Sequence, residues 1–306
     1  MFVNTESKVI WKNGSYEKWE DTSVHILSHT MHYGTGCFEG VRAYNTDNGP
    51  AIFRLEDHTN RLFEAAKELS IVIPYSPEEL NQVQKDIFLK NNLQEGYLRP
   101  IVFLGSESLG IRATDLSVNV AVAAWEWPSY MSPEAKEAGI SIIKSSYEQY
   151  SNPLHSGYKI IGTYINSTMA LHEAIRKGAD EALLLDKNGY ISEGSGENIF
   201  LIKDNVISTP LTDHCLNGIT RKSVIQIAKD LGYELVEKNL TYEDLLASDE
   251  AFFTGTAVEI TPISNIDNKK IGLGSRGPVT EKLQDTYSDI IYGRNDLYKD
   301  WLSLVK

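Results

Sequence analysis

The chain has 306 residues, 42% of them hydrophobic and 23% charged, the balance of a folded globular protein rather than a disordered one. Its 29 Lys and Arg against 42 Asp and Glu leave a formal net charge of −13, which argues against broad binding to nucleic-acid backbones, because such proteins present a basic face. No run approaches the roughly 18 apolar residues of a membrane span, the N-terminus resembles neither a signal nor a transit peptide, and Cys37 and Cys215 form no Cys-x-x-Cys, so a reducing cytoplasm is expected.

At about 150 residues per domain, the length suggests two domains. Ala51–Arg54 reads as a short strand, followed by a helix over 55–69 in which Leu62, Ala65, Ala66 and Leu69 share one face. Pro77-Glu-Glu-Leu80 opens a second helix, with Pro in its first turn and acids where the dipole favours them. Residues 98–104 and 118–125 read as apolar strands, the latter continuous enough to be buried on both faces. The polar, turn-rich stretch over 129–137 reads as a link, which predicts an N-terminal domain over 1–128 and a C-terminal domain over 138–306.

Beyond the link, 140–144 reads as a strand, 166–177 as a helix, and 181–186 as a strand running into the Asn188-Gly189 turn. Residues 197–202 and 206–209 form a hairpin pattern. A helix from Thr220 buries Val224, Ile227, Ala228 and Leu231, with Gly232 at its C′ position. Strands over 251–254 and 258–263 and an amphipathic helix over 277–292 complete an α/β (α+β mixed) chain.

No dinucleotide-binding or Walker A pattern is present. Three segments stand out instead. Leu216-Asn-Gly-Ile-Thr-Arg221 runs a glycine turn straight into a helix, where the Ile219 and Thr220 amides either face an anion or are served by Thr220 capping its own helix. In Phe253-Thr-Gly-Thr-Ala-Val258, hydroxyls and amides on a tight turn suit an anion or a plain strand connection. Gly189–Asn198 carries Glu193 and Glu197, which either serve a cationic heterocycle at the bottom of a cleft or lie on an exposed turn. Lys159, flanked by Ile160-Ile161, is either a desolvated nucleophilic amine or a surface lysine.

Taken together, these segments resemble the class IV (fold type IV) pyridoxal-phosphate aminotransferases, and within them the bacterial-type branched-chain amino-acid aminotransferases. The resemblance runs over nearly the whole chain: Tyr33-Gly34, Phe38-Glu-Gly-Val-Arg42, His58-Thr-Asn-Arg-Leu62, Tyr97-Leu-Arg-Pro100, Glu193-Gly-Ser-Gly-Glu-Asn198, Gly218-Ile-Thr-Arg221 and Gly255-Thr-Ala-Val-Glu-Ile-Thr-Pro262 follow in family order. It implies a two-domain fold like that of D-amino-acid aminotransferase, with a small N-terminal lobe and a large C-terminal lobe carrying the lysine. It also implies pyridoxal 5′-phosphate as cofactor, no metal, and at least a homodimer.

By the same resemblance, Lys159 holds the cofactor and shuttles the proton, Glu193 faces the pyridine nitrogen, and Tyr164 bonds the phenolic oxygen. Arg61, Ile219, Thr220 and Thr256 would bind the phosphate. Tyr33, Phe38, Trp127 and Tyr130 would line an apolar side-chain pocket, the Thr256 and Ala257 amides would take the α-carboxylate, and Arg99 with Tyr97 would accept the second carboxylate of glutamate. The implied reaction moves the amino group of leucine, isoleucine or valine to 2-oxoglutarate. D-amino-acid and (R)-amine transaminases, an aminodeoxychorismate lyase and a catalytically silent binding protein share the fold as alternatives, but Phe38–Arg42 and Tyr97–Arg99 speak against the first three, and retention of Lys159 and Glu193 against the last. The redox-active Cys-x-x-Cys of the animal enzymes is missing.

Overall fold

The computed structural model describes residues 7–127, 133–150, 157–213 and 215–306. They divide into two compact units. The first takes the described residues within Met1–Pro128 together with Tyr158–Thr163 and Asp289–Lys306; the second takes those within Ser129–Gly157 and Tyr164–Ser288.

The first unit is built on an antiparallel sheet. Its strands are β1 (Val9–Lys12), β2 (Ser15–Lys18), β3 (Gly36–Phe38), β4 (Val41–Thr46), β5 (Gly49–Phe53), β6 (Gly96–Leu104), β7 (Val118–Trp125) and β17 (Leu302–Leu304), in the order β17-β5-β4-β6-β7-β1-β2 with β3 also on β6. Three helices accompany it: α1 (His29–Tyr33), α2 (Leu55–Glu68) and α3 (Pro77–Lys90). The predicted face of α2 holds: Leu62, Ala65 and Ala66 are buried in one core with Leu80, Ile87 and Phe88 of α3 and with Val41, Val120 and Val122 of the sheet. A capping box starts α3, the Ser76 hydroxyl accepting from the Glu79 N–H while the Glu79 carboxylate accepts from the Ser76 N–H.

β7 departs from its expected burial on both faces. Val120, Val122 and Ala124 are fully buried, whereas Asn119, Ala121 and Ala123 are only half-buried. The reason is its partners: β6 and β1 both run antiparallel to it, and an antiparallel sheet can cover one face alone.

The second unit holds β8 (Ile140–Lys144), β9 (Glu181–Leu185), β10 (Ile191–Gly194), β11 (Asn198–Lys203), β12 (Val206–Thr209), β13 (Leu235–Glu237), β14 (Glu250–Gly255), β15 (Glu259–Ile266) and β16 (Lys269–Lys270). Their order is β10-β9-β8-β15-β14-β11-β12-β13, with β16 on β15; the β8–β9, β8–β15 and β12–β13 pairs are parallel and the rest antiparallel. The helices are α4 (Pro133–Ala138), α5 (Tyr164–Arg176), α6 (Ile219–Asp230), α7 (Tyr242–Leu246) and α8 (Pro278–Ile291), the last belonging to this unit as far as Ser288.

Two boundaries differ from the sequence expectation. Residues 133–137 of the expected link are helical, with Lys136 paired to Glu259. The C-terminal domain is also not one uninterrupted stretch. Its last strand, β17, pairs with β5 through Leu302, Ser303 and Leu304. The segment carrying Lys159 likewise joins the first unit: the Phe38 N–H donates to the Lys159 carbonyl at 3.0 Å, Cys37 bridges Ile160, and the Gly162 N–H donates to the Gly34 carbonyl at 3.0 Å.

That junction needs glycine. Gly34 has φ +68, and a Cβ there would lie 2.5 Å from the Gly162 Cα. Gly34→Ala is therefore expected to lower the stability of the first unit by about 1–3 kcal/mol and to speed protease cleavage at 158–163. Urea unfolding and limited proteolysis check this; an unchanged midpoint together with unchanged cleavage would show that the close approach is not needed.

Candidate active site

The sequence-expected residues fall into one group in each unit. In the first, the Lys159 Nζ stands 5.8 Å from the centre of the Phe38 ring, and the Arg99 guanidinium lies over the same ring at 4.6 Å. Arg99 reaches this place from β6, where Tyr97, two residues earlier on the same face, brings its ring to 5.6 Å from the guanidinium. Tyr97 in turn stacks on Trp127 at 4.9 Å and tilts against Trp125 at 5.3 Å. The buried Arg99 Nε has no hydrogen-bond partner among the described residues. A cation on an aromatic floor with a donor to spare suits a carboxylate.

Gly40 closes this floor: a Cβ there would come within 1.8 Å of the Tyr97 hydroxyl. Tyr33 ends α1; its ring meets His29 at 4.6 Å and helps line a cavity of about 590 Å³. Tyr130 lies outside the described residues.

Arg61 projects from α2 and is 8% exposed. It donates through Nε and Nη2 to the two oxygens of Glu39 at 2.6 and 2.8 Å, and His58 Nδ1 meets the same carboxylate at 2.8 Å. His58 and Arg61 share a face because they are three apart on one helix. Burial alone would raise the Glu39 carboxyl; the Arg61 guanidinium and the His58 and Arg61 hydrogen bonds outweigh it and hold the group well below the usual carboxylate range. Burial pushes the His58 imidazole down and prevails over the opposing pull of Glu39. The cluster therefore holds a carboxylate, a guanidinium and a neutral imidazole. Glu39 and His58 both sat in the family-like runs, but nothing in their spacing revealed that they converge on Arg61.

In the second unit, Glu193 lies on β10, a buried strand, so of its two readings the exposed turn does not hold. Pairing opposite Leu184 brings it inward. Its Oε2 accepts from the Leu216 N–H at 3.1 Å and its Oε1 from the Gln149 Nε2 at 2.5 Å. Glu197 folds back on its own turn, accepting from the Gly196 N–H at 3.0 Å. Tyr164 is the first residue of α5 and is half-buried. Thr256 and Ala257, also half-buried, form the turn after β14.

Ile219 and Thr220 are the first two residues of α6, each 3% exposed. Thr220 does not cap the helix. The N-cap is Gly218, no side chain caps the helix start, and the first turn holds no acid. A Cβ on Gly218 would lie 2.1 Å from Asn198 Oδ1, and the Asn198 amide donates to the Leu216 carbonyl at 2.7 Å, so the loop is drawn tight behind a helix start whose first amides have no acceptor within the helix. This is the environment a phosphate dianion needs.

The family model for amino-transferase class IV matches residues 36–266. The branched-chain-amino-acid aminotransferase of Pseudomonas aeruginosa is 51% identical over 299 residues, covering 97% of each chain. Among solved structures, the branched-chain amino acid aminotransferase of T.th. with pyridoxamine 5′-phosphate superposes with a TM-score of 0.97 at 44% identity, covering 99% of this chain and 100% of its own. The same enzyme has been solved with N-(5′-phosphopyridoxyl)-L-glutamate and with 4-methylvaleric acid, each at a TM-score of 0.95 and 43% identity.

The Glu39 cluster predicts acid sensitivity. An unfolded histidine gains its proton near pH 6.5, whereas His58 resists it in the fold, so stability starts to fall as pH drops through about 6.5. Glu39 adds a second loss, beginning as pH falls below about 4.3, where the unfolded carboxylate protonates. His58→Gln is expected to flatten the pH 7.5-to-5.5 slope by up to about 1.4 kcal/mol per pH unit, measured by urea unfolding. An unchanged slope would show that His58 takes up its proton in the fold as readily as in the unfolded chain, and a steeper one that it is charged in the fold. With the family match over residues 36–266 and the near-complete coverage of these relatives, the chain belongs to the class IV aminotransferases.

Proposed function

We propose that the chain is a pyridoxal-phosphate-dependent transaminase that moves the amino group of L-leucine, L-isoleucine or L-valine reversibly to 2-oxoglutarate, giving the branched 2-oxo acid and L-glutamate. The observation that carries this reading is Arg99, held on Phe38 and Tyr97 with a buried N–H to spare. Apolar ring surface accepts a branched side chain, and the guanidinium accepts the second carboxylate of glutamate. The relatives' ligands, a glutamate adduct and a branched acid, support the same pair of substrates.

Pyridoxal phosphate, when bound, withdraws electrons from the substrate's Cα. In the proposal the chain does the rest. Lys159 anchors the group through Nζ, and the same amine, once released, carries the proton from Cα. Glu193 faces the ring nitrogen, and Tyr164 donates to the ring's phenolic oxygen. Arg61, the Ile219 and Thr220 amides and Thr256 take the phosphate. Thr256 and Ala257 amides orient the α-carboxylate. Tyr33, Phe38, Trp127 and Tyr130 complete the apolar lining, and excluding water there keeps the transferred proton from solvent.

We further infer a homodimer or larger homo-oligomer. Ile26, Met31 and Ile111 of the first unit are 66%, 61% and 89% exposed, apolar surface that a second copy would cover. A cytoplasmic location accords with Cys37 and Cys215, free buried thiols that burial pushes up to about 12.

Four measurements test the reading. Borohydride reduction and peptide mapping should place the pyridoxyl group on Lys159, and Lys159→Ala should lose turnover entirely; labelling of another lysine would refute the assignment. Arg99→Gln should raise KM for 2-oxoglutarate about 10–100-fold while changing the leucine half-reaction far less. A half-reaction panel with L-leucine, D-alanine and (R)-1-phenylethylamine should bleach the visible band fast with leucine. Fast bleaching with D-alanine alone would sink the branched-chain reading.

A further inference from the structure

The role given to Glu193 requires its carboxylate to hold one orientation, and the second unit contains a device that sets it. Gln149 lies 44 positions upstream, yet its Nε2 donates to Glu193 Oε1 at 2.5 Å. The side chain cannot turn over without loss, because its Oε1 accepts from the Tyr150 N–H at 3.0 Å and from the Asn166 amide at 3.4 Å. Donor and acceptor ends are thus both committed, which assigns the amide's orientation from its partners.

The backbone under Gln149 is fixed as well. Its own N–H donates to the Leu185 carbonyl at 2.8 Å, at the end of β9, the strand whose Leu184 registers opposite Glu193. Four residues earlier, Ser145 donates its hydroxyl and Ser146 its N–H to Glu173 of α5, both at 2.9 Å. Asn166, also on α5, donates to the Glu148 carbonyl at 3.0 Å. One helix therefore carries Tyr164 and, through Glu173 and Asn166, holds the segment that presents Gln149.

We propose that Gln149 is a positioning residue, which together with the Leu216 N–H holds the Glu193 carboxylate in the orientation that receives the cofactor's pyridine nitrogen. The proposal rests on the role given to Glu193 above. A carboxylate offers about four acceptor directions, so the Gln149 amide on one oxygen and the Leu216 N–H on the other are compatible with a ring N–H as a further donor. Loss of the Gln149 donor removes the anchor on Oε1, and the carboxylate gains freedom to swing about the Cγ–Cδ bond. A hydrogen bond to a charged group is worth enough to matter at this position.

The test uses holoenzyme reconstituted with pyridoxal phosphate labelled with ¹⁵N in the ring, and reads the ring-nitrogen resonance. Gln149→Met keeps the length of the side chain and removes the donor; Gln149→Asn keeps the amide but shortens its reach, and serves if the first variant fails to fold. Either substitution should move the resonance part of the way toward the unprotonated ring and slow the leucine half-reaction by about 10–100-fold, with KM for leucine little changed. Glu193→Gln is the reference and should move the resonance the whole way. If Glu193→Gln shifts the resonance and neither Gln149 variant does, the positioning role is overturned while the Glu193 role stands. If Glu193→Gln leaves the resonance in place, the Glu193 role fails and the proposal fails with it.

Discussion

The arrangement of the first unit depends on a backbone contact between two stretches more than a hundred residues apart in the sequence. The Gly162 N–H donates to the Gly34 carbonyl, and four residues further on the Phe38 N–H donates to the Lys159 carbonyl. These two bonds, with the Cys37–Ile160 bridge between them, lay residues 158–163 alongside β3. Cys37 is wholly buried and Ile160 is 7% exposed, so the contact is also apolar packing. Its consequence is positional. An amine on a loop would sample many places; here the backbone atom next to the lysine side chain is bonded to the residue whose ring the amine faces. Reach and orientation are set by main-chain hydrogen bonds rather than by side-chain preference.

Charge is handled locally in the same unit. A net charge of −13 describes the outer surface, and it gives no reason for an anion to bind. Arg61 supplies a buried cation, but an unpaired guanidinium in that position would be costly to desolvate, so Glu39 accompanies it. The pair is close to neutral overall, and the third member, His58, stays uncharged, which keeps the cluster from gaining a second positive charge. In the second unit no side chain caps the start of α6, and in the proposed reading its amides would take the phosphate. In that reading they would therefore supply the positive potential for the phosphate, and Arg61, already neutralised by Glu39, would add directed donors rather than net charge.

What could be read beforehand follows from how local each cause is. α2 and α3 show themselves through a 3.6-residue apolar face and a capping box, and β8, β11 and β12 through short apolar runs flanked by turn residues, because those signals act over a few residues. β1 and β2 are four residues each; β1 buries only Trp11 and is otherwise half-buried, β2 is largely exposed, and neither run is long enough to show an alternating pattern. β10 was hidden by Gly194 and its polar neighbours, since its strand character comes from the pairing with β9 and not from its own residues. The site divides in the same way. Lys159, Arg61, Glu193, Ile219 and Thr220 stood out through short runs of family-like residues, whereas the partners of Glu193 did not: Gln149 reaches it only because β9 gathers both chain segments, and Leu216 contributes a backbone N–H that almost any residue could supply.

The role proposed for Arg99 would let one pocket serve an apolar and an anionic substrate. A guanidinium in a purely aliphatic pocket would demand a permanent counter-ion, and a carboxylate placed there would compete with the incoming substrate. The faces of Phe38 and Tyr97 offer the cation a weaker and permanent partner instead, worth about 0.5–2 kcal/mol each. That is enough to hold the side chain flat against the rings, yet too little to satisfy its donors, as the unpartnered Nε shows. In the proposed reading a branched aliphatic side chain would meet aromatic surface without confronting a buried ion pair, while a second carboxylate would find the Arg99 Nε–H already desolvated. The stack of Tyr97 on Trp127 keeps the floor rigid, and Gly40 leaves room for the Tyr97 hydroxyl, so any side chain at that position would tilt the ring that Arg99 rests on. In the proposed reading, selectivity for both substrates would therefore rest on a residue with no side chain as much as on the cation itself.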